Sequence, residues 1–245
     1  MADSKRIQDF DNPGYSGDEE LQNLEKYMPK YLNEISLSIA EFALQIPEPK
    51  QILEFGAGRG AIAQRIFQKT KLQPVCIEID PHLIEFLRSK SYLVFNSLDE
   101  IDNKFELIYT VNVLEHILDD VRVLEEIYQK LNVNGIIIIF VPAFQFLMSA
   151  MDDKVGHVRR YSKKELKSKV LKSSFEIINI QYFDSLGTLA ALITKLVGYR
   201  GKFNLGGSNT LKFYDSFLLP ISRILDRLIL HRILGKNIVL VGRKL

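Results

Sequence analysis

A short apolar strand followed by alternate glycines constrains the fold of this chain more than any other feature. Residues 52–55 are Ile-Leu-Glu-Phe, glycines follow at positions 56, 58 and 60, and a helical pattern begins directly after them. Glycine tolerates positive φ angles and lets a ligand approach the bare backbone, so it suits a tight turn. The first N–H groups of the next helix lack partners within that helix and can hold polar groups of a ligand. This stretch predicts a strand, a binding turn and a helix N-terminus.

The rest of the chain predicts an alternation of strands and helices. Besides the first strand at 51–55, strands are predicted at 74–79, 92–95, 105–111, 136–141, 175–183 and 237–241. Helices are predicted at 18–46 (divided at Pro29), 59–69, 81–90, 119–131 and 162–173, with two further apolar helical patterns within 185–234. Such alternation implies right-handed crossovers. The predicted fold class is therefore α/β, with a doubly wound, mostly parallel sheet and helices on both faces.

The length of the chain is that of one domain. With 245 residues we expect a single domain, 1–245. Within it, we expect three parts. Residues 1–46 form a polar arm or lid (1–17) followed by helices. Residues 47–184 form the cofactor-binding core, and residues 185–245 form a helical cap and the last strand. The long connection at 143–161 is expected to carry function, because irregular connections of that length are uncommon.

Composition and charge narrow the class of protein. Hydrophobic residues make up 47% of the chain and charged residues 25%, as in soluble globular proteins, and the net charge of +2 gives no general signal for nucleic-acid binding. From residue 185 onward ten basic and two acidic residues give 10 − 2 = +8, so the rest carries 2 − 8 = −6. The one cysteine, Cys76, excludes a disulfide within the chain and favours a reducing compartment. Since the N-terminus is polar and no apolar run reaches membrane-spanning length, we expect a cytoplasmic protein.

Glu54 discriminates between two kinds of cofactor. Read as Gly56-x-Gly58-x-x-Ala61, the turn also fits the dinucleotide fingerprint. A carboxylate beside the turn would repel a pyrophosphate, but it suits S-adenosylmethionine, which carries an ammonium and a sulfonium. An acidic residue followed by alternate glycines resembles the first motif of the class I S-adenosylmethionine-dependent methyltransferases.

The resemblance implies a Rossmann-like sheet of seven strands, one of them antiparallel and supplied by the C-terminal tail. It also implies S-adenosylmethionine as cofactor. A carboxylate at the end of the second strand can accept both ribose hydroxyls. The segment after the third strand would meet the adenine, although the Gly-Asp pair frequent there is missing and a plain turn is an equal alternative. The predicted cofactor-binding residues follow the first four strands: Glu54, Gly56, Ala57, Gly58 and Gly60; Glu78 and Ile79; Asn96, Ser97 and Leu98; Asn112 and Val113.

Two further segments carry the resemblance. Residues 112–117, Asn-Val-Leu-Glu-His-Ile, resemble the segment after the fourth strand in many small-molecule methyltransferases. Residues 156–161, Gly-His-Val-Arg-Arg-Tyr, resemble a Gly-His-x-Arg-Arg-Tyr segment of one bacterial group, often associated with modification of surface glycans and other small molecules. His157 and His116 are the predicted catalytic residues, because imidazole can take up a proton near neutral pH.

The residues after His157 are the predicted substrate-binding set: Arg159, Arg160 and Tyr161. Guanidinium groups there could grip a carboxylate or phosphate. The alternatives are a basic surface turn with Tyr161 packed beneath it, and a structural role for Glu115 or His116 at the start of the next helix.

The basic tail contains apolar residues at helical spacing: Phe213, Phe217, Leu218, Ile221, Ile224, Leu225 and Leu228. We favour a cap packed on the substrate side, because apolar helical faces are usually core. The alternative is an interfacial helix in peripheral contact with acidic lipid headgroups or a lipid-linked substrate.

The predicted function is methyl transfer from S-adenosylmethionine to a small-molecule, glycan or lipid-linked acceptor, at oxygen because two histidines can serve as base. The alternatives are an NAD(P)-dependent oxidoreductase, which Glu54 and the lack of a Tyr-x-x-x-Lys spacing disfavour, and a non-catalytic cofactor-binding scaffold. No nucleic-acid partner is expected, because the Asn/Asp-Pro-Pro-Tyr/Phe motif common in base-amine methyltransferases is missing. No metal site is predicted.

Overall fold

Seven strands form one mixed sheet. The structure is a computed structural model, and it describes residues 18–46, 50–197 and 207–245. The strands are β1 (Ile52–Phe55), β2 (Val75–Ile77), β3 (Val94–Phe95), β4 (Phe105–Val111), β5 (Leu131–Pro142), β6 (Phe175–Phe183) and β7 (Asn237–Lys244). Their order in the sheet is β3-β2-β1-β4-β5-β7-β6. The predicted arm or lid at 1–17 lies outside the described residues.

The pairing confirms the predicted sheet of seven strands with one antiparallel member. The first five strands are parallel, with β4 between β1 and β5. β7 runs antiparallel to β5 on one side and to β6 on the other, so that Leu240 lies opposite both Ile139 and Ile180. Because parallel strands end at the same edge of a sheet, the segments that follow β1, β2, β4 and β5 lie side by side.

Helices cover both faces of the sheet, as predicted. Along β5, Ile137 and Ile139 pack in one core cluster with α5 (Asp120–Lys130) and α7 (Lys163–Lys172). Ile138 and Phe140 pack in a second cluster, with α2 (Pro29–Gln45) and α3 (Ala61–Thr70). Strands buried on both faces account for the continuous apolar runs in the sequence. The α-helices of the described residues are α1 (Asp18–Tyr27), α2 (Pro29–Gln45), α3 (Ala61–Thr70), α4 (Pro81–Ser89), α5 (Asp120–Lys130), α6 (Ala150–Lys154), α7 (Lys163–Lys172), α8 (Ser185–Val197), α9 (Ser208–Phe213) and α10 (Leu219–Leu228).

β5 differs most from its predicted bounds. It begins at Leu131, five residues before the predicted start, and it contains Asn134-Gly135, a pair that usually marks a turn. Asn134 has a φ of 64°, and the register with β4 shifts at this point, with Phe105 opposite Leu131 and Leu107 opposite Ile136. The turn signal therefore produces a bulge within a long strand.

Pro220 explains an irregularity in the C-terminal helix. α9 and α10 are joined by a π-helical turn, Tyr214–Leu218, and remain helical throughout. Pro220 has no N–H to donate to the carbonyl of Ser216, four residues earlier. That carbonyl accepts a hydrogen bond from Lys30 Nζ at 3.2 Å instead.

The apolar face of this C-terminal helix points away from the core. Five of the seven residues expected to pack as a cap are exposed: Phe213, Phe217, Ile221, Ile224 and Leu228. The buried side of the helix is mostly polar and consists of Tyr214, Asp215, Leu219, Ser222 and Asp226. The preference for core packing is therefore wrong for these five, because polar anchors occupy the inner face. Within the described part of the chain, no helix combines the length and apolar character needed to span a bilayer.

Two buried aspartates attach this helix to its neighbours. Asp215 accepts hydrogen bonds of 3.0 and 2.8 Å from the two backbone N–H groups that follow Pro29 at the start of α2. Asp226 accepts from the N–H groups of Asp184 (2.8 Å) and Ser185 (3.1 Å) at the start of α8. N–H groups in a first helical turn lack helical partners and carry partial positive charge, so a carboxylate there is stabilising.

Asp215→Ala should lower the free energy of unfolding by about 1–3 kcal/mol, because it leaves the start of α2 uncapped and its N–H groups without an acceptor. Urea unfolding followed by circular dichroism measures the change. Asp102→Ala, at an exposed aspartate, is the control and should stay within about 0.5 kcal/mol of the wild type. An unfolding midpoint for Asp215→Ala equal to that of the control would contradict the assigned role.

Candidate active site

The glycine turn after β1 adopts the left-handed backbone that suits glycine. Gly56, Gly58 and Gly60 have φ angles of 78°, 55° and 73°. A Cβ atom on Gly56 would lie 2.3 Å from Cγ2 of Val113, so the turn also packs against the segment after β4. α3 begins directly after Gly60, which has no side chain to cap its first N–H groups. The backbone N–H of Ala63, in this first turn, donates to the carboxylate of Glu54.

Glu78, after β2, is hydrogen-bonded to the glycine turn. Its Oε2 accepts from the backbone N of Gly58 at 2.6 Å, and its Oε1 accepts from those of Ile79 (2.8 Å) and Asp80 (3.0 Å). A carboxylate has about four lone-pair positions, so it can accept further hydrogen bonds. Ile79 is 41% exposed and offers an apolar surface at the same strand end.

Glu54 lies within β1, beneath the glycine turn, and is buried. Tyr109 Oη donates a hydrogen bond to its Oε2 at 3.2 Å. Burial raises the pKa of Glu54 to about 8, because the charged form loses its hydration. A cationic ligand group placed beside it would favour the ionised form.

α1 covers the glycine turn, a contact that sequence reasoning missed. Leu21 Cδ1 lies 3.0 Å from the position that a Cβ on Gly58 would occupy. The ion pairs that hold α1 in place are Arg59 with Asp18 at 2.5 Å and Glu25 at 3.2 Å, and Lys154 of α6 with Glu20 at 2.7 Å. The three acidic residues in the first turn of α1, together with Arg59 among the glycines, are the sequence signal that pointed to this contact.

The segment after β3 forms a 3₁₀ turn. The side chain of Leu98 packs in the core. It is therefore not available for the adenine contact that the sequence predicted. Asn96 is exposed, and its backbone N and Nδ2 donate to the carboxylate of Glu100 at 3.0 and 3.3 Å. The adenine contacts expected here therefore reduce to Asn96, Ser97 and the backbone of Leu98.

Asn112 directly follows β4 and has a φ of 53°, a conformation that asparagine tolerates better than most residues. Its backbone N donates to the carbonyl of Phe140 at 2.9 Å. Its Oδ1 accepts from Nδ2 of Asn237 at 3.1 Å. The residue is thereby fixed between the ends of β4, β5 and β7.

Four titratable side chains meet beyond β4 and β5. His157 Nδ1 lies 2.7 Å from Asp152 Oδ1, and its Nε2 lies 3.7 Å from Glu115 Oε1. The His116 ring packs edge-on against the His157 ring, with 4.7 Å between centroids, and His116 Nδ1 lies 3.2 Å from the carbonyl oxygen of Gly156. The structure thus brings the two predicted catalytic histidines together.

The hydrogen-bond partners assign the proton on each ring. A carbonyl oxygen only accepts, so His116 donates from Nδ1 and carries its lone pair on Nε2. Although burial opposes it, hydrogen bonds from His157 and Arg160 hold the pKa of Asp152 well below its usual value. The resulting carboxylate accepts from Nδ1 of His157, which places the lone pair of a neutral ring on Nε2. Burial and the neighbouring His157 lower the pKa of His116 to about 4, so this ring is neutral.

Glu115 is the least satisfied polar group of the cluster. It is fully buried, and within the described residues neither carboxylate oxygen has a hydrogen-bond partner. Burial raises its pKa to about 8. Most buried polar groups are paired, so an orphaned one requires an explanation.

The predicted substrate-binding residues face the protein instead of the solvent. Arg159 Nη1 donates to Asp120 Oδ2 at 2.8 Å, and Arg160 holds both carboxylate oxygens of Asp152 at 2.8 and 3.1 Å. Tyr161 is fully buried and donates to Asp120 Oδ2 at 2.6 Å. Tyr161 thus packs beneath the turn, and both guanidinium groups are bound to protein carboxylates.

Asp152 is the residue of this cluster that sequence reasoning missed. It lies at the start of α6 in a capping box, where its Oδ2 accepts from the backbone N of Ser149 at 2.9 Å. The Ser-x-x-Asp spacing at 149–152 was the available signal, since it approximates the Ser-x-x-Glu pattern of a helix start. That signal predicts a cap and says nothing about His157.

Residues 24–180, more than half of the chain, match the methyltransferase domain family. No curated protein matches the sequence.

Solved structures share the fold. A SAM-dependent methyltransferase from Archaeoglobus fulgidus has a TM-score of 0.60 at 14% identity, with 92% of this chain and 99% of that chain covered. A putative sarcosine dimethylglycine methyltransferase from Galdieria sulphuraria has a TM-score of 0.56 at 17% identity, with 88% and 84% covered. Phosphoethanolamine N-methyltransferase 2 of Haemonchus contortus, solved with S-adenosyl-L-methionine, has a TM-score of 0.55 at 15% identity, with 86% and 52% covered. At these identities the similarity establishes the fold alone.

Glu54→Gln should change how stability depends on pH. Because the pKa of this buried carboxyl is raised from 4.5 to about 8, the folded state binds more protons than the unfolded state between these values. Its contribution to the free energy of unfolding therefore falls as pH rises through that window. Glutamine does not titrate, so the variant should gain stability relative to the wild type between about pH 5 and about pH 8.5.

Urea unfolding at both pH values measures this difference. Glu85→Gln, at an exposed glutamate of α4, is the control and should follow the wild type at both. A stability difference between Glu54→Gln and the wild type that is the same at both pH values would rule out a protonated, buried Glu54.

Proposed function

We propose that this chain methylates an oxygen of a small-molecule, glycan or lipid-linked acceptor. The chain belongs to the methyltransferase domain family, whose model matches residues 24–180. The protein is an S-adenosylmethionine-dependent methyltransferase. The observation that carries the oxygen assignment is the Asp152–His157 pair beside His116. A hydroxyl nucleophile must lose a proton, and this arrangement offers an imidazole lone pair to receive it.

The cofactor is assigned to the edge of the sheet where β1, β2 and β4 end. Its methionine end lies with Glu54, the ribose with Glu78, and the adenine between Ile79 and the segment after β3. The remaining cofactor contacts in this proposal are Gly56, Ala57, Gly58, Gly60, Asn96, Ser97, the backbone of Leu98, Asn112 and Val113. The fit is supported by the positive φ angles of the three glycines and by the hydrogen bond from Gly58 N to Glu78, which joins the glycine turn to the ribose position.

When bound, S-adenosylmethionine supplies a methyl group that its sulfonium already activates, so the chain has to align the acceptor and exclude water. In our proposal His157 takes the hydroxyl proton on Nε2, and Asp152 stabilises the imidazolium through Nδ1–H. Arg160 acts through Asp152, which it keeps ionised and oriented. His116 packs against the His157 ring and is the alternative proton acceptor.

We also propose that residues 1–245 act as one domain in the cytoplasm. Support for one domain comes from the sheet, which contains strands from residue 52 to residue 244. Support for the compartment comes from the single, buried Cys76. The small net charge of +2 supports an acceptor other than a nucleic acid.

An acceptor screen tests this function. The purified chain with S-adenosylmethionine is offered free sugars, sugar nucleotides, polyprenyl-phosphate-linked sugars and phenols, and formation of S-adenosylhomocysteine and of an O-methylated product is measured. With the acceptor so found, His157→Gln should lower turnover by about 10²–10⁴-fold, while the affinity for S-adenosylhomocysteine stays unchanged.

His82→Gln, at an exposed histidine of α4, is the control and should retain full turnover. A product methylated at nitrogen, or full turnover in His157→Gln, would contradict the proposed role of His157.

We further propose that the exposed apolar face at residues 213–228 contacts an anionic membrane and brings the enzyme to a lipid-linked acceptor. Its members share one side of the helix and range from 50% to 73% exposed: Phe213, Phe217, Ile221, Ile224 and Leu228. Exposed basic side chains lie nearby in the chain at Lys212, Arg227 and Arg232. Contiguous apolar surface with flanking basic residues is typical of a helix at the interface of an acidic bilayer.

Co-sedimentation with vesicles of phosphatidylglycerol and phosphatidylcholine tests this contact. The double variant Phe217→Ser/Ile224→Ser should bind at least about tenfold more weakly, because it removes two exposed apolar side chains that would enter the bilayer interface. The control, Leu93→Ser/Val133→Ser, removes two equally exposed apolar residues elsewhere and should bind as the wild type does. Equal binding of both double variants would refute the assigned surface.

A further inference from the structure

We infer that Glu115, His116 and His157 form a binding site for one divalent first-row transition-metal ion. One ligand atom from each residue lies within 4.8 Å of the others. No metal was expected from the sequence, because positions 115 and 116 meet position 157 only where the segments after β4 and β5 converge. The existence of this site is independent of the proposed methyl transfer, but its catalytic role rests on that function.

The ligand set favours a zinc-like ion. Two histidines and one glutamate are the protein ligands of several catalytic zinc sites, which keep a further position open for water or substrate. The same set also suits iron(II), whereas Mg²⁺ and Ca²⁺ prefer oxygen ligands. Glu115 Oε1 and His157 Nε2 are 3.7 Å apart. Two ligands about 2.0–2.1 Å from a tetrahedral ion are separated by about 3.4 Å, so a small contraction would close the site.

The surrounding hydrogen bonds are those that orient metal-binding histidines. A ligating histidine usually donates its other ring N–H to a carboxylate or a backbone carbonyl, which fixes the ring and its tautomer. His157 does so to Asp152 at 2.7 Å, and His116 does so to the carbonyl of Gly156 at 3.2 Å. Both rings therefore carry their lone pair on Nε2. Arg160 in turn holds Asp152 through two hydrogen bonds.

Glu115 supplies the independent observation. Its carboxyl group is fully buried, and both oxygens lack a hydrogen-bond partner among the described residues. Burying a carboxyl without a partner is costly. A metal ion would provide that partner and hold the group as a carboxylate.

The site is closed on the Glu115 side and accessible beside His157, whose side chain is 16% exposed. An acceptor hydroxyl could therefore reach the open coordination position. Coordination lowers the pKa of the hydroxyl, and its proton leaves to water. The oxygen lone pair then forms the bond to the methyl carbon. The carbon–sulfur bond breaks with its electron pair on sulfur, leaving S-adenosylhomocysteine as a neutral thioether. With metal bound, His157 is a ligand and no longer the direct proton acceptor.

Cobalt binding tests the site without an acceptor. The full chain is freed of metal with a chelator and titrated with Co²⁺ while its visible d–d absorption is recorded. One Co²⁺ per chain is expected, displaced by Zn²⁺ and unaffected by excess Mg²⁺. Glu115→Gln and His157→Gln should lose the band, whereas His82→Gln should keep it. Binding of S-adenosylhomocysteine to each variant shows that its loss of cobalt is not a loss of folding.

The outcomes separate this inference from the proposed function. A wild-type chain that binds S-adenosylhomocysteine but gives no saturable cobalt band would overturn the metal site and leave His157 as the proton acceptor. Stoichiometric cobalt with no methyl transfer to any acceptor would support the site while failing the proposed function. Full turnover in chelated protein would overturn the activating role of the metal.

Discussion

The candidate site depends on the parallel pairing of β1, β2, β4 and β5. Because both faces of these strands are buried, polar side chains that serve a ligand collect near the strand ends. Glu54 and Glu78 meet the glycine turn there, and the segments after β4 and β5 bring His116 and His157 to a ring separation of 4.7 Å. No contact local in sequence could join these groups, so the sheet sets the distances on which the chemistry depends.

Asp152 fixes which nitrogen of His157 carries the ring proton, on the side of the site where the methyl acceptor is proposed to bind. Its carboxylate is held ionised by Arg160 and accepts the Nδ1 proton of His157. This leaves the lone pair of His157 on Nε2, which both a proton acceptor and a metal ligand require. The two chemical roles considered for His157 therefore share one support. The two roles differ in whether Glu115 gains a partner, because only a metal ion would bind its carboxylate. Among the described residues its oxygens have no hydrogen-bond partner.

Much of the fold, and the positions of the glycine turn and the two histidines, could be predicted because their signals are local. Alternate glycines specify a turn, and apolar periodicity specifies strands and helices. Contacts between distant segments left no such signal, as with Tyr161 and Asp120 or Asn112 and Asn237. The spacing of apolar residues also predicted the wrong buried face for the C-terminal helix. Spacing shows that Phe217 and Ile221 share a face, but the inner face is fixed by Asp215 and Asp226, whose partners are backbone groups of α2 and α8.

β7 is the last strand in the chain, yet it lies between β5 and β6. During synthesis on the ribosome, β5 is therefore made long before the strand that pairs with its free edge. Asn237 bonds to Asn112, and the carbonyl of Lys236 accepts from the backbone N of Ala143 at 2.8 Å. A nascent chain can form the glycine turn long before it can complete the acceptor side. A chain that still lacks β7, or that has lost it to a protease, would have an incomplete site and two unpaired strand edges, the condition in which partly folded chains aggregate.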